Sequence, residues 1–333
     1  KAINDRLAQH YFDSLAISRL AHQMLAVLGG KAPHNHGVFI GGVTTKATAE
    51  QVVLIDSHLQ KITAFIDEKM IPDVYDIAHY YPEYFKLGGG YGNLLSYGSF
   101  HHYKELGTLY TNPLVLTKKG VEVFDENKIE EKIDYAYYKL AESTDKQHPV
   151  VPEPDMDKKK AYSWVKAPRY NGLPFEVGPL ARLILSGHYI NRISAMDRTI
   201  ARALEAKKIA DIMKILLKQI IPGVEMQQQY DLPVSASGRG LVDTTRGALG
   251  HWLEIQNQEI SFYQIITPST WDFSTRDENG YRGVAEQALI GTPIANVDEP
   301  VEIGRILRSF DPCMSCATHV YSPGKEVKTI QVF

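Results

Sequence analysis

The chain has 333 residues, 44% of them hydrophobic and 23% charged, a balance that suits one large domain or two smaller ones with a proper core and excludes a disordered polymer. The formal net charge is −3, which leaves no basic footprint for nucleic acid or an anionic membrane surface. The longest apolar run, residues 212–221, is interrupted by Lys214 and Lys218, so no transmembrane segment is expected.

No signal-peptide pattern opens the chain, and the first residue is Lys1 rather than Met; a processed form or a fragment is the expectation. Over residues 5–28, Leu7, Tyr11, Leu15, Leu20, Met24 and Leu28 recur at near-helical spacing, and Gly29-Gly30 stops the run. A Gly- and His-rich loop follows over residues 31–45. Thr48 with Gln51 three residues on forms a capping-box pattern, which predicts a second helix running to about Met70 and ending at Pro72.

Residues 73–112 are dense in Tyr and Gly, including Gly88-Gly89-Gly90, and show no clear period; irregular structure packed by aromatic rings is expected. Residues 113–160 mix strand-like runs with charge and end in a Lys-rich stretch, the best candidate for a surface excursion. Ile193, Ile200, Leu204, Ile209, Ile212 and Leu216 predict a long amphipathic helix over 191–221, closed by Pro222-Gly223. Residues 249–266 suit a β-hairpin with its turn at Gln256-Asn257-Gln258. A last helix over 300–309 delivers Asp311-Pro312-Cys313. The pattern has no internal repeat and reads as a mainly helical fold with a little sheet, one domain over 1–333.

Only two cysteines occur, Cys313 and Cys316, within one Cys-Met-Ser-Cys run. A disulfide framework is excluded, because so close a pair staples only a tiny loop. Two thiols at this spacing can face one metal ion, and thiolates suit soft or borderline metals such as zinc, nickel and iron. A lone Cys-x-x-Cys is nonetheless shared with thiol–disulfide enzymes and with pairs that are simply buried. A four-cysteine zinc site cannot be built within this chain.

The surrounding segments narrow these alternatives. Asp311-Pro312-Cys313-x-x-Cys316-x-x-His319, preceded by Arg305-Ile306-Leu307-Arg308-Ser309-Phe310, resembles the C-terminal signature of nickel–iron (NiFe) hydrogenase large subunits. Four further blocks fall in the family's order. They are Gly29-Gly30-Lys31-Ala32-Pro33-His34 with Gly41-Gly42-Val43-Thr44, and Lys166-Ala167-Pro168-Arg169-Tyr170 with Glu176-Val177-Gly178-Pro179-Leu180-Ala181-Arg182, then Arg246-Gly247-Ala248-Leu249-Gly250-His251-Trp252 and Thr267-Pro268-Ser269-Thr270-Trp271.

The resemblance implies a mainly α fold with a helical-bundle core, small β-hairpins and long irregular loops. It implies a nickel held by four cysteine sulfurs, two of them bridging to an iron that carries cyanide and carbon monoxide. Cys313 would be a terminal nickel ligand and the first proton acceptor, and Cys316 a bridging ligand. Arg246 would lie over the iron's diatomic ligands, where a guanidinium offers hydrogen-bond donors and positive charge. Pro268 and Ser269 would pack against and hydrogen-bond a cyanide. Asp311 would pair near the arginine, although capping of the turn before Pro312 explains an aspartate there equally well. His319 would bind a separate Mg2+ or iron, with the main-chain carbonyl of Ile265 as companion. For Lys31 and His34, a salt-bridged lysine and a satisfied core histidine are the plainer readings.

The implied reaction is reversible oxidation of H2 to protons and electrons, the electrons leaving through an iron–sulfur small subunit. A maturation protease and nickel-insertion factors are implied partners. So is a place at the cell envelope or periplasmic side, reached with a partner, or otherwise in the cytoplasm. An H2-sensing or non-catalytic subunit of a redox complex is the alternative. The sequence departs from the family in lacking its other Cys-x-x-Cys and the upstream carboxylates, so either a partial record or a split protein is expected. Residues 320–333 resemble the extension that the family's protease removes, and Thr244-Thr245 stands before Arg246 where Ala-Pro is expected.

Overall fold

The computed structural model describes residues 2–139, 153–190 and 192–313 in full, and the backbone of the strands at 317–320 and 328–331. In chain order these form α1 (Ala2–Gly29), β1 (Val38–Phe39), β2 (Gly42–Val43), α2 (Ala49–Phe65), α3 (Ile71–Tyr80), β3 (Leu94–Ser96), β4 (Leu114–Thr117), β5 (Gly120–Val123), β6 (Ile129–Lys132) and β7 (Ala167–Tyr170). Then come α4 (Pro179–Leu185), α5 (Ala195–Leu217), β8 (Met226–Gln227), β9 (Ala236–Thr244), β10 (Gly247–Gln256), β11 (Glu259–Ile266), α6 (Pro268–Asp272), α7 (Val284–Leu289), α8 (Val301–Ser309), β12 (Ala317–Val320) and β13 (Lys328–Gln331). Among the described residues no helix is long and apolar enough to cross a membrane.

The backbone gathers into two compact units. The first holds residues 1–80, 102–109 and 202–234, and it is helical. Its core is Leu59, Ile66 and Ala210, with Met24, Ile62, Met70, Ile71, Ala206 and Met213 packed around them. The Thr48 hydroxyl accepts the Gln51 N–H while the Gln51 side chain accepts the Thr48 N–H, the predicted capping box. The predicted stop at Pro72 does not occur. A π-helical turn at Ile66–Met70 intervenes and α3 continues to Tyr80. The wide turn absorbs the missing proline N–H, and Pro72 falls in the first turn of the new helix, where that donor has no intrahelical partner anyway. His34 is exposed, not a core histidine.

The second unit holds residues 81–101, 110–201 and 235–333, and it rests on antiparallel sheets. Strand orders are β3-β4-β5, β6-β7 and β11-β10-β9. Helix takes 41% and strand 20%, so there is more sheet than the mainly helical expectation allowed. The predicted hairpin is β10–β11, with Asn257 and Gln258 both at positive φ, 54° and 64°, as a two-residue turn between twisted strands requires. Its third strand, β9, was not foreseen. It reads Ala-Ser-Gly-Arg-Gly-Leu-Val-Asp-Thr, an edge strand with little apolar alternation to reveal it.

The core of this unit joins Leu95, Tyr97, Val115, Tyr170, Phe175, Val177, Ala248, Ile266 and Trp271. It therefore fixes the start of β10, the end of β11 and α6 to one apolar centre. A buried guanidinium closes one side of it. Arg169 donates to Asp277, Ser274 Oγ and the carbonyls of Pro168, Thr275 and Tyr281, so all its donors are used where water cannot reach them.

Candidate metal centre

Arg246 occupies the two-residue turn between β9 and β10, where Thr244 pairs with Gly247. The turn is pressed against the segment that caps α4. A Cβ on Gly178, at φ +109°, would lie 2.9 Å from the Arg246 carbonyl, and one on Gly247, at φ +128°, would lie 2.5 Å from Val177 Cγ2. Only glycine permits that conformation and approach. From α4, Arg182 reaches back and donates to the carbonyl of Thr244 at 2.9 Å and that of Thr245 at 3.0 Å. Its charge faces Asp243 at 3.6 Å, both side chains being almost fully buried. Asp243 in turn accepts the Ser96 hydroxyl and, at 3.1 Å, the Tyr97 N–H.

The guanidinium of Arg246 points to the end of α8. Its Nε donates to the Asp311 carbonyl at 2.8 Å and lies 3.3 Å from the Asp311 carboxylate. Asp311 has φ +55°, a left-handed residue that turns the chain sharply out of the helix. Just before it, Phe310 is buried, with the Arg198 guanidinium 3.7 Å from its ring centre. Arg198 is itself held at 2.8 Å by both oxygens of buried Glu176 and donates to the Gly88 carbonyl at 2.7 Å. The α8 terminus thus sits on an ion pair.

Cys313 follows two residues later and is exposed. Its N–H donates to Ser269 Oγ at 3.3 Å. Pro268 is buried at the first position of α6, whose Trp271 lies in the core. The structure therefore brings together Arg246, Asp311, Cys313 and the Pro268-Ser269 segment. Ile265 lies on β11, paired with His251 of β10 and half exposed. Next to it, Gln264 donates to Glu131, which also accepts Lys166 Nζ at 3.1 Å. Burial pushes the Glu131 carboxyl above the ordinary glutamate range, against the pull of Lys166 and Gln264. His319 falls on β12, its backbone paired with Thr329; its side chain, and all of Cys316, lie outside the described residues.

Glu176 and Arg182 stand in a family-like block with no task evident from the sequence, and Asp243, Ser96 and Arg198 carry no sequence motif. An arginine in a short helix among Leu180, Ala181 and Leu183, all buried, is a usable signal, because a cation on a buried helix face needs a partner. Nothing in the sequence identifies Ser96.

The donor set fits one face of a thiolate-held metal centre: a soft, accessible sulfur at Cys313, with a cationic guanidinium bonded two residues before it. Among the described residues no group of three or more His, Cys, Asp or Glu side chains could hold a metal ion.

The chain matches the family model described as nickel-dependent hydrogenase over residues 3–193 and 188–319. It is similar to the large subunit of the periplasmic NiFeSe hydrogenase of Desulfomicrobium baculatum, 32% identical over 96% of this chain and 67% of that protein. It is also similar to the Hydrogenase-1 large chain of Escherichia coli (strain K12), 29% identical over 97% of this chain and 66% of that one. Among solved structures, the reduced, active Ni-Fe-Se hydrogenase of D. baculatum superposes with a TM-score of 0.87 at 33% identity, over 94% of this chain and 69% of that chain. The reduced Ni-Fe-Se hydrogenase of D. vulgaris Hildenborough gives 0.88 at 33%, over 94% and 70%. The chain spans about two thirds of the length of these curated relatives.

Proposed function

Because this chain belongs to the nickel-dependent hydrogenase family, we propose that it supplies part of a catalytic large subunit that interconverts H2 with two protons and two electrons. The observation that carries this reading is the convergence of Arg246, Asp311, Cys313 and Ser269 from three separate stretches of sequence. Cys313 and Cys316 would be this chain's thiolate ligands to a nickel–iron centre whose iron would carry cyanide and carbon monoxide. When bound, such a centre supplies the redox and Lewis-acid chemistry of heterolytic H2 cleavage.

The residues of this chain do the rest. The Cys313 thiolate takes the first proton at Sγ, which is accessible to accept it and pass it on. Arg246 has its Nε engaged with Asp311, and its other guanidinium donors would offer hydrogen bonds and positive charge to the bound centre. The Asp311 carboxylate balances that charge and restrains the guanidinium. Ser269, bonded to the Cys313 backbone, fixes where the sulfur starts, and buried Pro268 anchors the start of the helix that carries it.

His319 and the Ile265 carbonyl form the proposed Mg2+ or iron site, with Glu131, Lys166 and Gln264 as the buried polar surroundings of the Ile265 strand. An iron–sulfur small subunit takes the electrons, since these cysteines cannot also hold clusters. Maturation factors load the metal, and a protease removes residues 320–333. A periplasmic place, reached with a partner, follows the D. baculatum relative.

The test is a complex of the small subunit with the complete large subunit, matured with its accessory factors. It should contain nickel, show infrared bands of metal-bound carbon monoxide and cyanide, and reduce a dye in the presence of H2. A correctly assembled complex with neither nickel nor those bands would rule the reading out.

A further inference from the structure

Resting on the hydrogenase reading, we propose that Arg182 is the positioning residue for Arg246, a buried fork that sets the plane of the turn from which the Arg246 guanidinium projects. The carbonyls at the start of this turn come one from the ladder, where Thr244 pairs with Gly247, and one from Thr245 beyond it. Here both are taken by one side chain, Thr244 by Nη1 at 2.9 Å and Thr245 by Nη2 at 3.0 Å. Because a guanidinium is planar and rigid, two such bonds fix orientation as well as distance. A lysine ammonium can reach either carbonyl but cannot reproduce the fork.

The fork is itself fixed from three directions. Asp243 lies 3.6 Å away and is anchored by Ser96 Oγ and by the Tyr97 N–H. The Arg182 carbonyl accepts the Thr111 hydroxyl at 3.3 Å, and the Arg182 N–H donates to the Gly178 carbonyl at 3.0 Å. Gly178 is the residue that abuts the Arg246 carbonyl. The first turn of α4 therefore touches the Arg246 turn through its backbone and through the Arg182 side chain. Displacing a catalytic group by about an ångström lowers rates by roughly a hundredfold, so this second grip bears directly on the reaction.

The experiment compares Arg182→Lys, Arg246→Lys and the double variant in the matured complex. Arg182→Lys should lower kcat for H2 oxidation roughly tenfold at unchanged KM and move the cyanide infrared bands in the direction Arg246→Lys moves them. Added to Arg246→Lys, it should subtract less than about twofold more, because both act through one group. Losses that multiply, or bands that stay put while activity falls, overturn the proposal. Should Arg182→Lys fail to accumulate, Ser96→Ala loosens the outermost bond instead; a smaller shift of the same bands supports the proposal and no shift overturns it. If the wild-type complex holds neither nickel nor cyanide, the hydrogenase reading fails by itself. The Arg182 assignment is then decided by crystal structures, in which Arg246 Nε must leave the Asp311 carbonyl in Arg182→Lys and stay on it in the wild type.

Discussion

The two halves of the candidate centre are built in opposite ways. Arg246 stands on a turn fixed by two glycine approaches, a buried arginine fork and a buried aspartate with its own serine. Cys313 stands at an exposed position beyond a helix end, its backbone bonded to Ser269 at 3.3 Å and its support coming from below, through Phe310 and the Arg198–Glu176 pair. The difference teaches that the cationic half of the site is part of the sheet, while the sulfur half is an arm hung from it. A metal-binding arm can tolerate that, since ligation itself orders the ligands. A hydrogen-bond donor aimed at a fixed group cannot, since its orientation must exist beforehand.

The comparison can be broken most severely from beneath the arm. Arg198→Met leaves Glu176 buried and uncompensated, and should destabilise the chain by about 3–5 kcal/mol, read as a fall in the denaturant midpoint of unfolding. A next-smaller effect is expected in the turn. Gly247→Ala puts a Cβ against Val177 and the Gly178 N–H at positive φ, and should cost about 1–3 kcal/mol, with Arg246 displaced in a crystal structure of the variant. Ser269→Ala removes the acceptor of the Cys313 N–H, and about 1 kcal/mol is expected from thermal unfolding. Cys313→Ser should shift the unfolding midpoint of the metal-free chain by no more than about 0.5 kcal/mol while abolishing nickel retention in the matured complex. If Cys313→Ser instead unfolds the chain as strongly as Arg198→Met, the contrast between arm and sheet is mistaken.

The elements legible in the sequence are those whose physics is local. The Thr48–Gln51 box, the β10–β11 hairpin and the helix at α8 depend on residues within one turn of each other. Pro72 does not stop the helix, because a proline forbids an ordinary interior hydrogen bond but not a widened turn before it. The segment of β9 is not legible as a strand, because pairing to a neighbour, not alternation, makes it one. Arg246, Asp311 and Cys313 are legible as motif residues; for Asp311 the sequence allows both turn capping and pairing, and in the structure its carbonyl and carboxylate both meet Arg246 Nε. The network behind Arg246 was not legible, because Ser96, Arg182 and Asp243 are separated by 147 positions between the Ser96 and Asp243 ends alone, and no spacing rule links them.

The turn at Thr245-Arg246 also acts as a ruler. Its two residues are gripped by the Arg182 fork and by the close approach of Gly178 and Gly247, so a single residue inserted between β9 and β10 would break those contacts and move the residue at position 246 off its mark. The turn at the other end of β10, Asn257-Gln258, is exposed and joins it to β11 instead, and it should accept length changes more freely. The strand β10 therefore has a counted end and an uncounted end, and the permitted variation in length belongs to the uncounted one.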